Sequence, residues 1–131
     1  MASSPHVQPF LHRDTGTWSY VVRDPDSASA AIIDPVLDYD PASARTSTAS
    51  VQAIVDYADA HSLKIEWLLE THAHADHLSA AHWLRQKRFR RASIAIGEGI
   101  ARVQETFREI FGLGDRFPVD GSQFDHLFVD G

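Results

Sequence analysis

Residues 67–81, WLLETHAHADHLSAA, run from an apolar stretch straight into three histidines and an aspartate, and four of the chain's eight histidines fall between Glu70 and Trp83. Lys64 to Glu70 reads as a strand with Ile65, Trp67 and Leu69 on one face, which aims whatever follows it. His72 and His74 are two apart in backbone that is still near-extended, so both imidazoles leave the same side, with small Ala73 and Ala75 leaving room between them. Where the chain turns toward a helix, Asp76 and His77 offer a hard oxygen and another nitrogen to a second ion or to a metal-bound water. His72, His74, Asp76 and His77 are therefore the candidate metal ligands, and Asp76 is also the candidate catalytic group. The competing reading makes the histidines exposed loop residues and Asp76 the cap of a helix starting at His77 or Leu78. The ordered spacing favours the metal.

Composition limits what such a site can be. The chain has no cysteine, which removes disulfides, thiolate ligands and a thiol nucleophile, so a bound ion is held by nitrogen and oxygen. A formal charge of -6 over 131 residues argues against nucleic acid as a partner. No apolar run approaches the roughly 18 residues that span a bilayer, and MASSPHVQPF lacks the cationic start and apolar stretch of a signal peptide. The expectation is a cytoplasmic protein without a membrane partner.

Around the motif the chain alternates strands and helices. Thr17 to Arg23 and Ser29 to Asp34 read as an antiparallel pair joined by Asp24-Pro25-Asp26. Residues 35–47, with two prolines and no sustained period, read as a surface loop. Val51, Ile54, Val55 and Ala58 recur at helical spacing behind a Ser/Thr cluster able to supply the N-cap, giving a helix from Ser47 or Ser50 to His61. A helix over Leu78 to Arg88 and a short buried strand over Ser93 to Ile96 follow. Ile100, Val103, Phe107, Ile110 and Phe111 form a helical apolar stripe closed by Gly112 and Gly114, and Gln123 to Val129 starts a further strand. His82 reads as structural, and His6, His12, His61 and His126 as ordinary surface or edge residues. Asp34 either orients a metal-bound histidine or simply starts a turn before Pro35. The cations from Arg85 to Arg91 read as a solvated helix end, an anion site for glutathione carboxylates being the alternative.

Taken together, AAIIDPVLDYD, WLLETHAHADHLSAA, IAIGEGIARVQETF and DGSQFDHLFVDG resemble the metallo-β-lactamase superfamily, and within it the persulfide dioxygenase branch with its β-lactamase hydrolase-like relatives. The resemblance runs from about Thr17 to Gly131. It implies an α/β (α+β) fold, the N-terminal half of an αββα sandwich with a mixed sheet and flanking helices, so that residues 1–131 form an incomplete domain whose uncovered apolar surface a second copy, as a homodimer, would cover. It also implies an iron(II) enzyme that oxidises glutathione persulfide, a small-molecule thiol substrate, to sulfite and glutathione. In that branch His72 matches the iron ligand, the remaining ligands belong to motifs that would follow Gly131, and His74, Asp76 and His77 are near-site residues. The alternatives are a dinuclear zinc(II) hydrolase of the glyoxalase II or lactonase kind, using all four residues, and a non-catalytic fragment.

Overall fold

The turn Asp24-Pro25-Asp26 does fold two strands back on each other. The computed structural model describes residues 3–131, in the order β1 (His6–His12), β2 (Thr17–Arg23), β3 (Ser29–Ile33), β4 (Val36–Asp40), β5 (Arg45–Ser47), α1 (Ala49–Ala60), β6 (Lys64–Leu69), β7 (Leu78–Ser79), α2 (Ala81–Lys87), β8 (Ser93–Gly97), α3 (Ile100–Phe111) and β9 (His126–Phe128). Six strands make one mixed sheet in the order β1-β2-β3-β6-β8-β9. The β1-β2-β3 part is antiparallel, and β3, β6, β8 and β9 run parallel. Strands β5-β4-β7 form a second, small sheet. This is the mixed α/β architecture that the resemblance implies. Among the described residues, no helix is long and apolar enough to cross a membrane.

The core lies on one face of the large sheet. Val21, Ile32, Leu68 and Ile94 meet Val51, Ile54, Val55 and Ala58 of α1 and Ala81 and Leu84 of α2. Period-2 and period-3.6 patterns thus converge on a single apolar layer. On the other face Trp67 is half-buried and packs against the rings of His126 and Phe128, with centroids 5.7 and 5.3 Å away.

Four expectations fail, each for a local reason. A register shift in the β3–β6 pairing sets Ala30 opposite Ile65 but Ala31 opposite Trp67, so Glu66 is a bulge. Ile65 and Leu68 therefore enter the core, while Trp67 and Leu69 stay half-buried outside it, and the expected shared face of Ile65, Trp67 and Leu69 does not exist. Residues 35–47 are a hairpin, not a loop: β4 pairs with β5 on one side and with β7 on the other. Leu78 and Ser79 form β7, so α2 begins only at Ala81, whose N–H bonds the Ser79 hydroxyl. No Ser/Thr side chain caps α1; instead Asp38 on β4 accepts the Ser50 N–H at 2.8 Å and also the Ser50 hydroxyl. A strand over residues 6–12 carried no sequence expectation because Pro9 interrupts it. Pro9 is tolerated there since β1 is an edge strand, paired with β2 alone.

Leu68 is fully buried at the centre of the parallel strands. Leu68→Ala is expected to cost about 2–5 kcal/mol of unfolding free energy, measured by urea denaturation. Burial alone would raise the Asp38 carboxyl, but the Ser50 hydroxyl, the Ser50 amide and His12 together hold it below its ordinary value. A carboxylate lowered in the fold contributes stability above its unfolded value, and that contribution disappears as pH falls through the folded one. Acid titration of stability below about pH 4 should accordingly be shallower in Asp38→Asn than in the parent.

Candidate metal centre

The histidine segment leaves β6 beside the end of β3, at the carboxyl edge of the parallel strands where open α/β sheets carry their ligand sites. Asp34 ends β3 at φ 50°, a left-handed backbone that aspartate tolerates better than most residues. Its N–H donates to the Leu69 carbonyl at 2.8 Å, and its own carbonyl accepts the Ser19 hydroxyl at 2.6 Å. So held, the buried carboxylate reaches across to the motif. Oδ1 accepts the Thr71 N–H at 2.8 Å and Oδ2 the Thr71 hydroxyl at 2.6 Å. Oδ1 also accepts from His74 Nε2 at 3.0 Å, and Glu70 Oε2 shares that same N–H at 2.9 Å. The Ser79 hydroxyl donates to the other Glu70 oxygen. Burial pushes the Glu70 carboxyl up to about 7, against Ser79 and His74 and with the charge of Asp34 adding to the rise.

Counting protons settles which nitrogen each ring leaves bare. The Thr71 hydroxyl spends its proton on Asp34, so His72 Nδ1, 2.7 Å from the Thr71 oxygen, is the donor there and Nε2 is bare. His74 Nε2 donates to the two carboxylates, which in the neutral ring leaves Nδ1 bare. His77 Nδ1 donates to Asp76 Oδ1 at 3.2 Å, leaving Nε2, a buried atom without a hydrogen-bond partner among the described residues. The three rings are neighbours, with centroids 4.3 Å apart for His72–His74 and 4.1 Å for His74–His77. The His74 and His77 imidazoles are 6% and 1% exposed. Burial foremost, then the charge of His74, pulls His77 below its ordinary value, which keeps it in the neutral form that a metal requires. Asp76 is exposed, and its own backbone amide chiefly, then the Thr17 hydroxyl and His77, hold its carboxyl low.

Two overlapping groups, Asp34–His72–His74 and His74–Asp76–His77, bring donor atoms within 4.8 Å of one another. Bare imidazole nitrogens beside carboxylate oxygens suit a borderline divalent ion, and a buried nitrogen with no other partner is costly unless an ion or a proton donor meets it. The residues present fit a metal. An apolar cavity of about 510 Å³ opens on the same rings, walled by Ile94, Ile96, Ile100, Val103, Phe107 and Phe124. His82, expected to be structural, stands exposed on α2 and lines this cavity.

The motif thus brings His72, His74, Asp76 and His77 into two donor groups that share His74, with Asp34 joining His72 in one of them. Of the two readings of Asp34, its carboxylate accepts from His74 Nε2, as a group orienting that histidine would, and its backbone makes the bend between β3 and β4 rather than a hydrogen-bonded turn. Glu70 and Thr71 were not singled out in the sequence, although their place beside the motif was a signal. His12, expected to be an ordinary surface or edge residue, does lie on the edge strand β1, but its side chain is buried and held by Asp38 and Thr15. Arg85 and Arg88, part of the expected cationic helix end, pair with Asp125 and Asp59 and are not free for an anion.

The Metallo-beta-lactamase superfamily model matches residues 12–119. A beta-lactamase hydrolase-like protein of Agrobacterium fabrum is 47% identical over 132 residues, covering 99% of this chain and 30% of that protein. Glyoxylase B2 of Dictyostelium discoideum is 42% identical over 130 residues, covering 99% of this chain and 44% of that protein. The chain therefore spans less than half the length of these relatives. In fold it is similar to the crystal structure of ETHE1 from Myxococcus xanthus, with TM-score 0.56 and 24% identity over 69% of this chain and 34% of that one.

Asp34→Asn removes the acceptor that fixes both His72, through Thr71, and His74. Divalent-metal affinity, read by calorimetric titration with Zn²⁺ on folded protein, is expected to fall about 10–100-fold.

Proposed function

The chain belongs to the metallo-beta-lactamase superfamily, and we propose that its histidine pocket is the metal-holding part of a persulfide dioxygenase that takes iron(II) and a small thiol persulfide such as glutathione persulfide. The observation that carries this reading is the apolar wall of the cavity at the rings of His72, His74 and His77. A persulfide sulfur and dioxygen are weakly hydrated and lose little on entering such a wall, whereas a water nucleophile gains nothing from it. The sequence resemblance around Asp34, the motif and residues 94–107 supports the same branch.

In the reaction, glutathione persulfide, dioxygen and water give glutathione, sulfite and two protons. The S–S bond breaks, and the outer sulfur takes up two oxygens from dioxygen and one from water. When bound, iron supplies coordination positions and electrons for dioxygen. The chain's own residues do the rest. His72 through Nε2 and His74 through Nδ1 present nitrogens whose direction Thr71, Asp34 and Glu70 fix. Ile96, Val103 and Phe107 exclude bulk water from the side on which the persulfide approaches. Asp76, exposed and ionised, is the group that accepts a proton from incoming water.

A second reading rests on the second donor group, His74–Asp76–His77. With it the pocket holds two zinc ions, and the protein hydrolyses a thioester or lactone, the alternative that the sequence resemblance leaves open. Metal analysis and oxygen uptake separate the two. Protein purified without added metal should contain iron and consume dioxygen with glutathione persulfide, and His72→Ala should lose the iron. Zinc together with thioester hydrolysis and no oxygen uptake would establish the second reading instead.

A further inference from the structure

The histidine segment borders two cavities of opposite character. The apolar one is walled in part by α3. The other, of about 1020 Å³, is lined by the β4–β5 hairpin and by the turn joining β1 to β2, and His74, His77 and Leu78 border both. Its two walls are tied together where His12 Nε2 lies 2.9 Å from Asp38 Oδ1. Ser47 and Arg45 stand opposite Asp38 and Asp40 across the hairpin, so they share the face from which Asp38 reaches β1. Arg45 is the one lysine or arginine lining this cleft.

Carboxylates are more numerous there, but most are engaged within the protein. Asp38 accepts from Ser50, Asp40 accepts the Ala42 N–H at 3.1 Å and the Ser43 hydroxyl at 2.6 Å, and Asp76 accepts the Thr17 hydroxyl at 3.1 Å. Asp14 and Arg45 are left. Both are exposed, and among the described residues neither joins an ion pair. The cleft therefore offers one unengaged group of each sign, with the exposed Thr46 and Ser47 hydroxyls following Arg45 along β5. A ligand bearing only a carboxylate would meet four aspartates for one arginine, and a simple cation would leave the guanidinium without a counter-charge. An end that carries an ammonium and a carboxylate together satisfies both. Such an end is shut out of the apolar cavity, where isoleucine and phenylalanine side chains offer a charge no partner.

We propose that the hairpin cleft binds the zwitterionic amino-acid end of a peptide-like thiol substrate, with Arg45 pairing to its carboxylate and Asp14 to its ammonium. The sulfur of that substrate then lies at the histidines, which the cleft and the apolar cavity share. This assignment rests on the histidine pocket being the reacting centre; it serves either reading of the metal, since a persulfide and a thioester can carry the same peptide. Arg45 and Asp14 are specificity residues and take no part in the hydrogen bonds that orient the imidazoles.

The test uses metal-free protein and S-methylglutathione, whose blocked sulfur neither reacts nor needs a metal. In ¹H–¹⁵N spectra, titration should move the backbone signals of residues 13–16 and 39–47 and leave those of residues 100–111 in place. Arg45→Gln and Asp14→Asn should each weaken binding about fivefold, the size of one exposed ion pair, and Arg45→Lys should recover part of the loss. N-acetyl-S-methylglutathione lacks the ammonium, so it should bind the parent about fivefold more weakly, yet bind Asp14→Asn as well as S-methylglutathione does. A general loss of stability would not produce that cycle. No binding at up to about 10 mM probe overturns the proposal. So do folded variants of unchanged affinity, or signal changes confined to residues 94–107. Binding as described without oxygen uptake by the iron-loaded protein counts against the dioxygenase reading alone, whereas uptake with the same KM for glutathione persulfide in parent, Arg45→Gln and Asp14→Asn overturns the cleft assignment alone.

Discussion

The Asp34 carboxylate is the constraint on which the rest of the pocket depends. Its backbone adopts a left-handed conformation at the end of β3, and two buried hydrogen bonds, from its N–H to Leu69 and to its carbonyl from Ser19, keep it there. Strain of this kind persists where surrounding structure over-determines it, and such places are commonly functional. The return is that one carboxylate ties the end of β3 to the start of the histidine segment through both the Thr71 amide and hydroxyl, and to His74 through Nε2. A loop that would otherwise be free to wander is pinned at two points to the most buried part of the sheet.

What the sequence made legible was the chemistry that lies close together along the chain. The His-x-His-x-Asp-His spacing, the apolar run before it, the α1 pattern of Val51, Ile54, Val55 and Ala58, and the left-handed Gly112 ending α3 were all readable because helix, strand and cap each have a short period. Long-range partners were not. Nothing near Ser50 announces that its amide will be capped by Asp38, and nothing near His12 announces Asp38 either; both are consequences of β4 pairing back across residues 36–47, a segment whose extended character is masked by Pro35 before it and Pro41 within it. Glu66 shows the same limit within one strand. Alternation predicts a shared face for Ile65, Trp67 and Leu69, but a bulge is a property of the pairing with β3, invisible in β6 alone.

The α3 stripe divides the same way. Its period was clear, and the helix runs from Ile100 to Phe111 as that period requires. Yet only its first turns are buried: Ile100 and Gln104 are covered, Gln104 holding Gly121 and Gln123, while Ile110 and Phe111 are 67% and 65% exposed. Val103 and Phe107, between these ends, form the wall of the cavity beside the histidines. A helix that reads as a core element thus serves instead as one side of a binding space, and periodicity cannot tell those uses apart.

The extra residue at Glu66 also governs how portable the motif is. Side chains in β6 change sides at that point, so the direction in which Thr71 and the imidazoles emerge depends on the strand's parity as much as on their own order. Grafting residues 65–77 onto another sheet with Ile65 facing inward but without the kink would send the rings to the opposite surface, away from Asp34. Length changes within β6 itself should accordingly come in even numbers of residues, or carry a compensating insertion of their own.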